Sequence, residues 1–161
     1  MKKIDYKCSY GPNEDAYLIR REVFIKECGV AEDAEIDKYD EIAYQVVVYV
    51  DGNPAGTGRL FIDPENGDLL RLGRISVLEK YRGLGVAELV VGLLLKKVQE
   101  QNADICFLTG RTYIMPLYRK FGFKEEGDPF IHDNMEQYYM YAKREDMKYT
   151  DRFLAFLENN E

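Results

Sequence analysis

YRGLGVAELV, residues 81–90, sets an arginine and two glycines at the mouth of a helical pattern, directly after strand-like residues. Beyond it Val86, Leu89, Val90, Leu93, Leu94 and Val98 recur at intervals of three and four, which predicts a helix over 85–101 with one broad apolar face. The first turn of a helix carries backbone N–H groups without intrahelical partners, and its aligned peptide dipoles add about half a positive charge there. Such an end attracts anions, and glycine at positions 83 and 85 would leave the backbone unscreened for a diphosphate. Arg82, with Lys80 nearby, adds charge that suits phosphate oxygens. The same spacing also serves as a plain turn into a helix, and on these residues alone both readings stand. A Walker A loop does not occur, and the dinucleotide fingerprint G-x-G-x-x-G fails because position 88 is Glu.

Upstream, residues 42–50 (IAYQVVVYV) are dense in β-branched and aromatic residues, Asp51-Gly52-Asn53-Pro54 supplies turn chemistry, and residues 55–62 resume a strand. A second turn over 63–68 and a strand over 69–77 complete an antiparallel meander. Before it, residues 4–10 read as a strand and the segment from Glu14 as a helix ended by Gly29. AEDAEIDKYDE, residues 31–41, reads as an acidic connector exposed to solvent. Downstream come a strand over 105–109, a short helix around YIMPLYRKFG with Gly122 as its left-handed cap, strands at GFKEEG and QYYMYAK, and a terminal helix at DRFLAFLENNE. A strand following the 85–101 helix implies a parallel pair inside an otherwise antiparallel sheet. The fold class expected is therefore α/β (α+β).

A length of 161 residues fits one domain, expected over 1–161, with a sizeable core. A formal charge of −7 disfavours nucleic acid and anionic membranes as partners. The three cysteines, Cys8, Cys28 and Cys106, have no C-x-x-C spacing, which argues against a disulfide framework and a metal site. The N-terminus lacks a signal-peptide core, and no run of about 18 apolar residues occurs. A cytoplasmic location is the expectation from these features.

Residues 74–100 (RISVLEKYRGLGVAELVVGLLLKKVQE) and 116–127 (PLYRKFGFKEEG) together resemble the GNAT superfamily of N-acetyltransferases. Its signature, Arg/Gln-x-x-Gly-x-Gly/Ala, is met by Arg82-x-x-Gly85-x-Ala87, and its second block by Leu117-Tyr118-Arg119-Lys120-Phe121-Gly122-Phe123. RREVFIKECGV (20–30), the pair Asp37 and Asp40, and GTGRLF (56–61) are similar to the ElaA-like branch, with Cys28 where that branch usually has Gln and Gln137 where many relatives have His.

The resemblance implies the GNAT fold: a mixed, mostly antiparallel twisted sheet of about six or seven strands flanked by helices, with a parallel pair splayed at the cofactor site. It also implies acetyl-CoA as donor, its diphosphate held by Arg82, Gly83, Leu84, Gly85, Val86 and Ala87 and its pantetheine arm by the strand Ile75-Ser76-Val77. Tyr118 would protonate the departing thiolate, and the Val77 N–H would meet the oxyanion. Arg111 stands where many relatives carry Asn beside the pantetheine, and an arginine there could instead meet a CoA phosphate, an acidic substrate or solvent. Glu27 and Asp37 match branch positions and lead the candidates for a base, ahead of Asp40, Glu41, Glu79 and His132, though pairing with Arg20, Arg21 or Arg59 is an equal reading. No base is assigned.

The activity implied is transfer of an acetyl group to a primary amine, a small molecule or peptide, by direct attack in a ternary complex. Two alternatives are a CoA-binding sensor domain without turnover and, below it, an enzyme resembling acyl-homoserine lactone synthases. The acceptor pocket is expected in the variable segments 28–40 and 128–137, and the terminal helix either covers a core edge or forms a homodimer contact.

Overall fold

The computed structural model describes residues 2–132 and 134–160; Asp133 and Glu161, which fall in the expected acceptor segment and terminal helix, lie outside them. Strands β1 (Ile4–Tyr10), β2 (Tyr44–Val50), β3 (Asn53–Asp63) and β4 (Leu69–Val77) pair antiparallel in chain order. Strand β5 (Ile105–Arg111) then joins β4 in parallel, and β6 (Lys124–His132) and β7 (Met135–Lys143) complete a seven-stranded sheet in the order β1-β2-β3-β4-β5-β7-β6. The expected fold class holds. The 63–68 turn closes through Pro64–Asn66, with Gly67 left-handed.

Strand β2 shows why its sequence fails to alternate. Val46, Val48 and Val50 join the core under helix α3 (Val86–Glu100), whereas Val47 and Tyr49 pack on Ala16, Tyr17 and Ile19 of helix α1 (Glu14–Arg20). Helices cover both faces, so successive side chains are all buried and the strand reads as a continuous apolar run. Helix α3 lies close to the sheet because β3 has no side chain at Gly58, where a Cβ would come within 2.7 Å of Val90 Cγ1 and 2.8 Å of Leu94 Cδ1. Helix α5 (Asp151–Asn159) packs on α3 through Phe153, which is fully buried against Gly92. Among the described residues no helix is long and apolar enough to cross a membrane.

The acidic connector departs from expectation. Helix α1 continues through a π-helical stretch, Arg21–Glu27, and the chain returns through helix α2 (Glu32–Glu35) and a 3-10 turn at Lys38–Glu41. Glu35 and Asp40 are buried, not solvated, and both hold the fully buried Arg20: its Nε donates to Glu35 at 2.9 Å, and Nη1 and Nη2 donate to Asp40 at 2.7 and 3.0 Å. Arg59 of β3 donates two bonds to Asp37, at 2.7 and 3.0 Å, and Arg74 of β4 lies 3.4 Å from Glu35 and 3.2 Å from Asp37. A local reading misses this because the partner arginines lie far off along the chain. Buried charges persist only when paired, and three guanidiniums meet three carboxylates here.

Arg74 is also the residue at which β4 bulges. Thr57 pairs with Ser76 and Arg59 with Gly73, so two residues, Arg74 and Ile75, stand opposite Gly58 alone. Arg74 takes a left-handed φ of 52°, a strained conformation for a side chain of its size, and its Nε donates to the Glu35 carbonyl at 3.0 Å.

Burial pulls the Asp40 carboxyl upward, but hydrogen bonds and charge from Arg20 outweigh it and hold its pKa far below the usual range. Asp37 is likewise lowered, burial being outweighed by Arg59 and Arg74. A depressed folded pKa stabilises above the unfolded value of about 4 and is lost as the pH falls through the folded one. Asp40→Asn should therefore cost about 3 kcal/mol at neutral pH by leaving Arg20 buried and under-compensated. The gap to wild type in denaturant titrations should narrow as the pH is lowered toward 3.

Candidate active site

Strands β4 and β5 pair only at Leu70–Cys106 and Arg71–Phe107, at their beginnings. From there they part, and a cleft of about 810 Å³ opens between them. It falls within the size range of ligand sites. Leu78 N–H donates to the Ala55 carbonyl at 2.9 Å, so those two residues form a hydrogen-bonded pair of the β3–β4 ladder. In an antiparallel ladder such pairs alternate with non-bonded ones, and the neighbouring pair Val77–Gly56 therefore turns its N–H and C=O groups away from β3, toward the cleft. The Val77 carbonyl is met there by Arg82 Nε at 3.0 Å. Ser76 lines the same wall, and its buried Oγ has no partner among the described residues.

The start of α3 opens onto the cleft. Gly85 is its N-cap, with φ 79°, and Gly83 has φ 86°, both left-handed conformations that favour glycine. Because the N-cap has no side chain, no capping bond takes up the N–H groups of the first turn. They remain available to an anion.

Ile75, Ser76, Val77, Arg82, Gly83, Gly85, Val86, Ala87, Arg111 and Tyr118 all line this one cleft. Leu84 does not; its side chain packs against the main core. Arg82 is engaged where the sequence suggested an open phosphate ligand, since its Nη2 donates to Glu27 at 3.0 Å. Glu27 and Asp37 also reach the cleft, but each is ion-paired, Glu27 with Arg82 and Asp37 with Arg59 and Arg74. Of the remaining base candidates, Asp40 is sealed in the arginine cluster, and His132 lines the cleft beside Gln137.

Tyr118, on the short helix α4 (Met115–Arg119), is 5% exposed and packs edge-on against Phe123. Burial raises its pKa well above the ordinary phenol value; Tyr113 adds to the rise and Arg111 opposes it. It is a phenol kept protonated across the physiological range. Arg111 lies 4.0 Å from Cys28 Sγ and has no carboxylate partner among the described residues. Cys106 is buried in the core, with its thiol pushed up to about 12 by burial. Tyr39, stacked on Phe61 at 4.6 Å, and Arg71, paired with Asp63 at 2.9 Å, also line the cleft, and no motif in the sequence marks them. Their roles depend on strand pairing, which spacing along the chain does not reveal.

Residues 13–123 match the family model described as the acetyltransferase (GNAT) family. The uncharacterized N-acetyltransferase YjcF of Bacillus subtilis is 33% identical over 111 residues, covering 69% of this chain and 77% of that protein. The uncharacterized protein YyaT of the same organism is 33% identical over 124 residues, covering 75% and 82%. The crystal structure of Escherichia coli ElaA superposes with a TM-score of 0.77 at 16% identity, covering 88% of this chain and all of that one.

Gly85→Ala should cost about 1 kcal/mol, because an L-residue is forced into left-handed backbone there. Gly29→Ala, another left-handed position with open space around it, is the control for strain alone. Denaturant midpoints should fall for both, at least as far for Gly85→Ala because its Cβ must also push the Arg152 side chain aside, and only the Gly85 variant should lose anion-dependent stabilisation.

Proposed function

Since this chain belongs to the GNAT family of acetyltransferases, and is thus an acyltransferase, we propose that its donor is acetyl-CoA and its acceptor a primary amine. One observation carries this reading: the uncapped start of α3, the outward-facing backbone of Val77 and the buried Tyr118 all open onto a single cleft. The diphosphate sits on the N–H groups at the start of α3, and Gly83 and Gly85 let it approach the backbone. The pantetheine arm runs along the free edge of β4 and pairs with it as an added strand would.

The amine nitrogen attacks the thioester carbonyl, and negative charge develops on its oxygen. The Val77 N–H supports that charge, a backbone donor already fixed in direction by the β3–β4 ladder. As the carbon–sulfur bond breaks, the sulfur takes the Tyr118 proton. A thiolate is itself basic, with a free-thiol pKa near 8.5, and the burial that raises Tyr118 acts on a neighbouring thiolate in the same sense. Proton transfer between them therefore stays matched. The proton lost by the amine goes to water: Asp37 is held ionised but spent on two arginines, which makes it a poor acceptor.

Acetyl-CoA should raise the melting temperature of the full chain, and a panel of primary amines should release free thiol from it. Tyr118→Phe should keep the acetyl-CoA shift and lower kcat about 100-fold. Stabilisation without thiol release by any amine would favour a CoA sensor over an enzyme. Equal turnover in Tyr118→Phe and wild type would remove the proposed acid.

A further inference from the structure

Arg82, the arginine of the glycine loop, is bound to Val77 and Glu27. A second arginine lies against that loop from a distant part of the chain. Arg152, at the start of α5, crosses Gly85: a Cβ built on Gly85 would lie 2.8 Å from Arg152 Cδ and 2.9 Å from Cζ, and closer still to Nη1. Helix α5 is held firmly in this position. Thr150 Oγ1 caps the α5 backbone at Phe153 and donates to Glu88 Oε2 at 2.6 Å in the first turn of α3, and one turn further along Phe153 fills the space above Gly92.

Arg152 is exposed and makes no hydrogen bond or ion pair among the described residues. Its guanidinium lies beside the N-terminus of α3, where the helix dipole presents positive charge and the first N–H groups are uncapped. Glu88, the carboxylate of that first turn, accepts from Thr150 and makes no ion pair with Arg152 among the described residues. A bound phosphate would satisfy both the guanidinium and the uncapped N–H groups, with the guanidinium fork offering paired N–H donors to its oxygens.

We propose that Arg152 is a phosphate ligand of the CoA donor, which makes the C-terminal helix α5 part of the donor site. This rests on the acetyl-CoA reading above. The shared chemistry is a phosphate of the nucleotide end, either the diphosphate seated on α3 or the 3′-phosphate.

Calorimetric titration of the full-length wild type, Arg152→Gln and Arg152→Lys with acetyl-CoA, and of wild type and Arg152→Gln with 3′-dephospho-CoA, tests it. Arg152→Gln should weaken acetyl-CoA binding about tenfold, as loss of one charge-assisted contact implies, with Arg152→Lys between it and wild type. The melting temperature of ligand-free Arg152→Gln should not fall, because a cation is removed from the positive end of a helix. A penalty that persists with 3′-dephospho-CoA puts Arg152 on the diphosphate, and one that vanishes puts it on the 3′-phosphate. Arg152→Gln binding acetyl-CoA within about twofold of a wild type that binds it overturns the proposal and leaves the donor reading intact. A wild type that does not bind acetyl-CoA overturns both.

Discussion

Three arginines, Arg20 and Arg59 buried and Arg74 half-buried, meet three carboxylates from one connector and hold this fold in the form its cleft requires. Arg20 comes from α1, Glu35, Asp37 and Asp40 from the connector, Arg59 from β3 and Arg74 from β4. Opposite charges in equal number leave the cluster formally neutral, and hydrogen bonds at 2.7 to 3.0 Å offset much of the cost of removing Arg20, Asp40 and Arg59 from water. Such a cluster adds little net stability compared with an apolar core of the same volume. Its effect is geometric. Any one member left without its partner would be a buried charge, so the four segments stay in register together.

The geometric consequence falls on β4. Arg74 stands at the bulge in left-handed backbone, tied to Glu35 and Asp37 of the connector. A bulge adds twist and re-aims the strand beyond it. Past the bulge, Ser76 and Val77 remain paired to β3, while the β4–β5 ladder has already ended at Arg71–Phe107. The gap between the strands is the cleft, and α3, which follows β4, starts beside it because its apolar face must cover the same sheet. The network thus bears on chemistry without supplying a reacting group: it positions a backbone edge.

The sequence and the structure agree where local pattern determines local form. The three-and-four spacing from Val86 to Val98 gives α3, and the turn residues at 51–54 and 63–68 give the meander, because both signals act within a few residues. Glycines 83 and 85 stand at the turn into α3 where the spacing put them, and both take left-handed backbone. The acidic connector was legible only in part. Pairing of Asp37 with Arg59 was one of its two readings and is what the structure has, but the burial of Glu35 and Asp40 by arginines 15 to 39 residues away is not marked in a charge run. Arg152 was equally invisible, because only the packing of Phe153 on Gly92 brings α5 over the start of α3.

In the proposed function the diphosphate and pantetheine of one donor molecule occupy two adjoining backbone surfaces, the start of α3 and the free edge of β4. Backbone hydrogen exchange with and without saturating acetyl-CoA measures this directly, since a bound group that accepts from an N–H slows its exchange. New protection is expected at residues 82–88 and 75–77 together, with the connector network already protected in both states. Protection confined to other parts of the sheet, or at only one of the two segments, would contradict that arrangement.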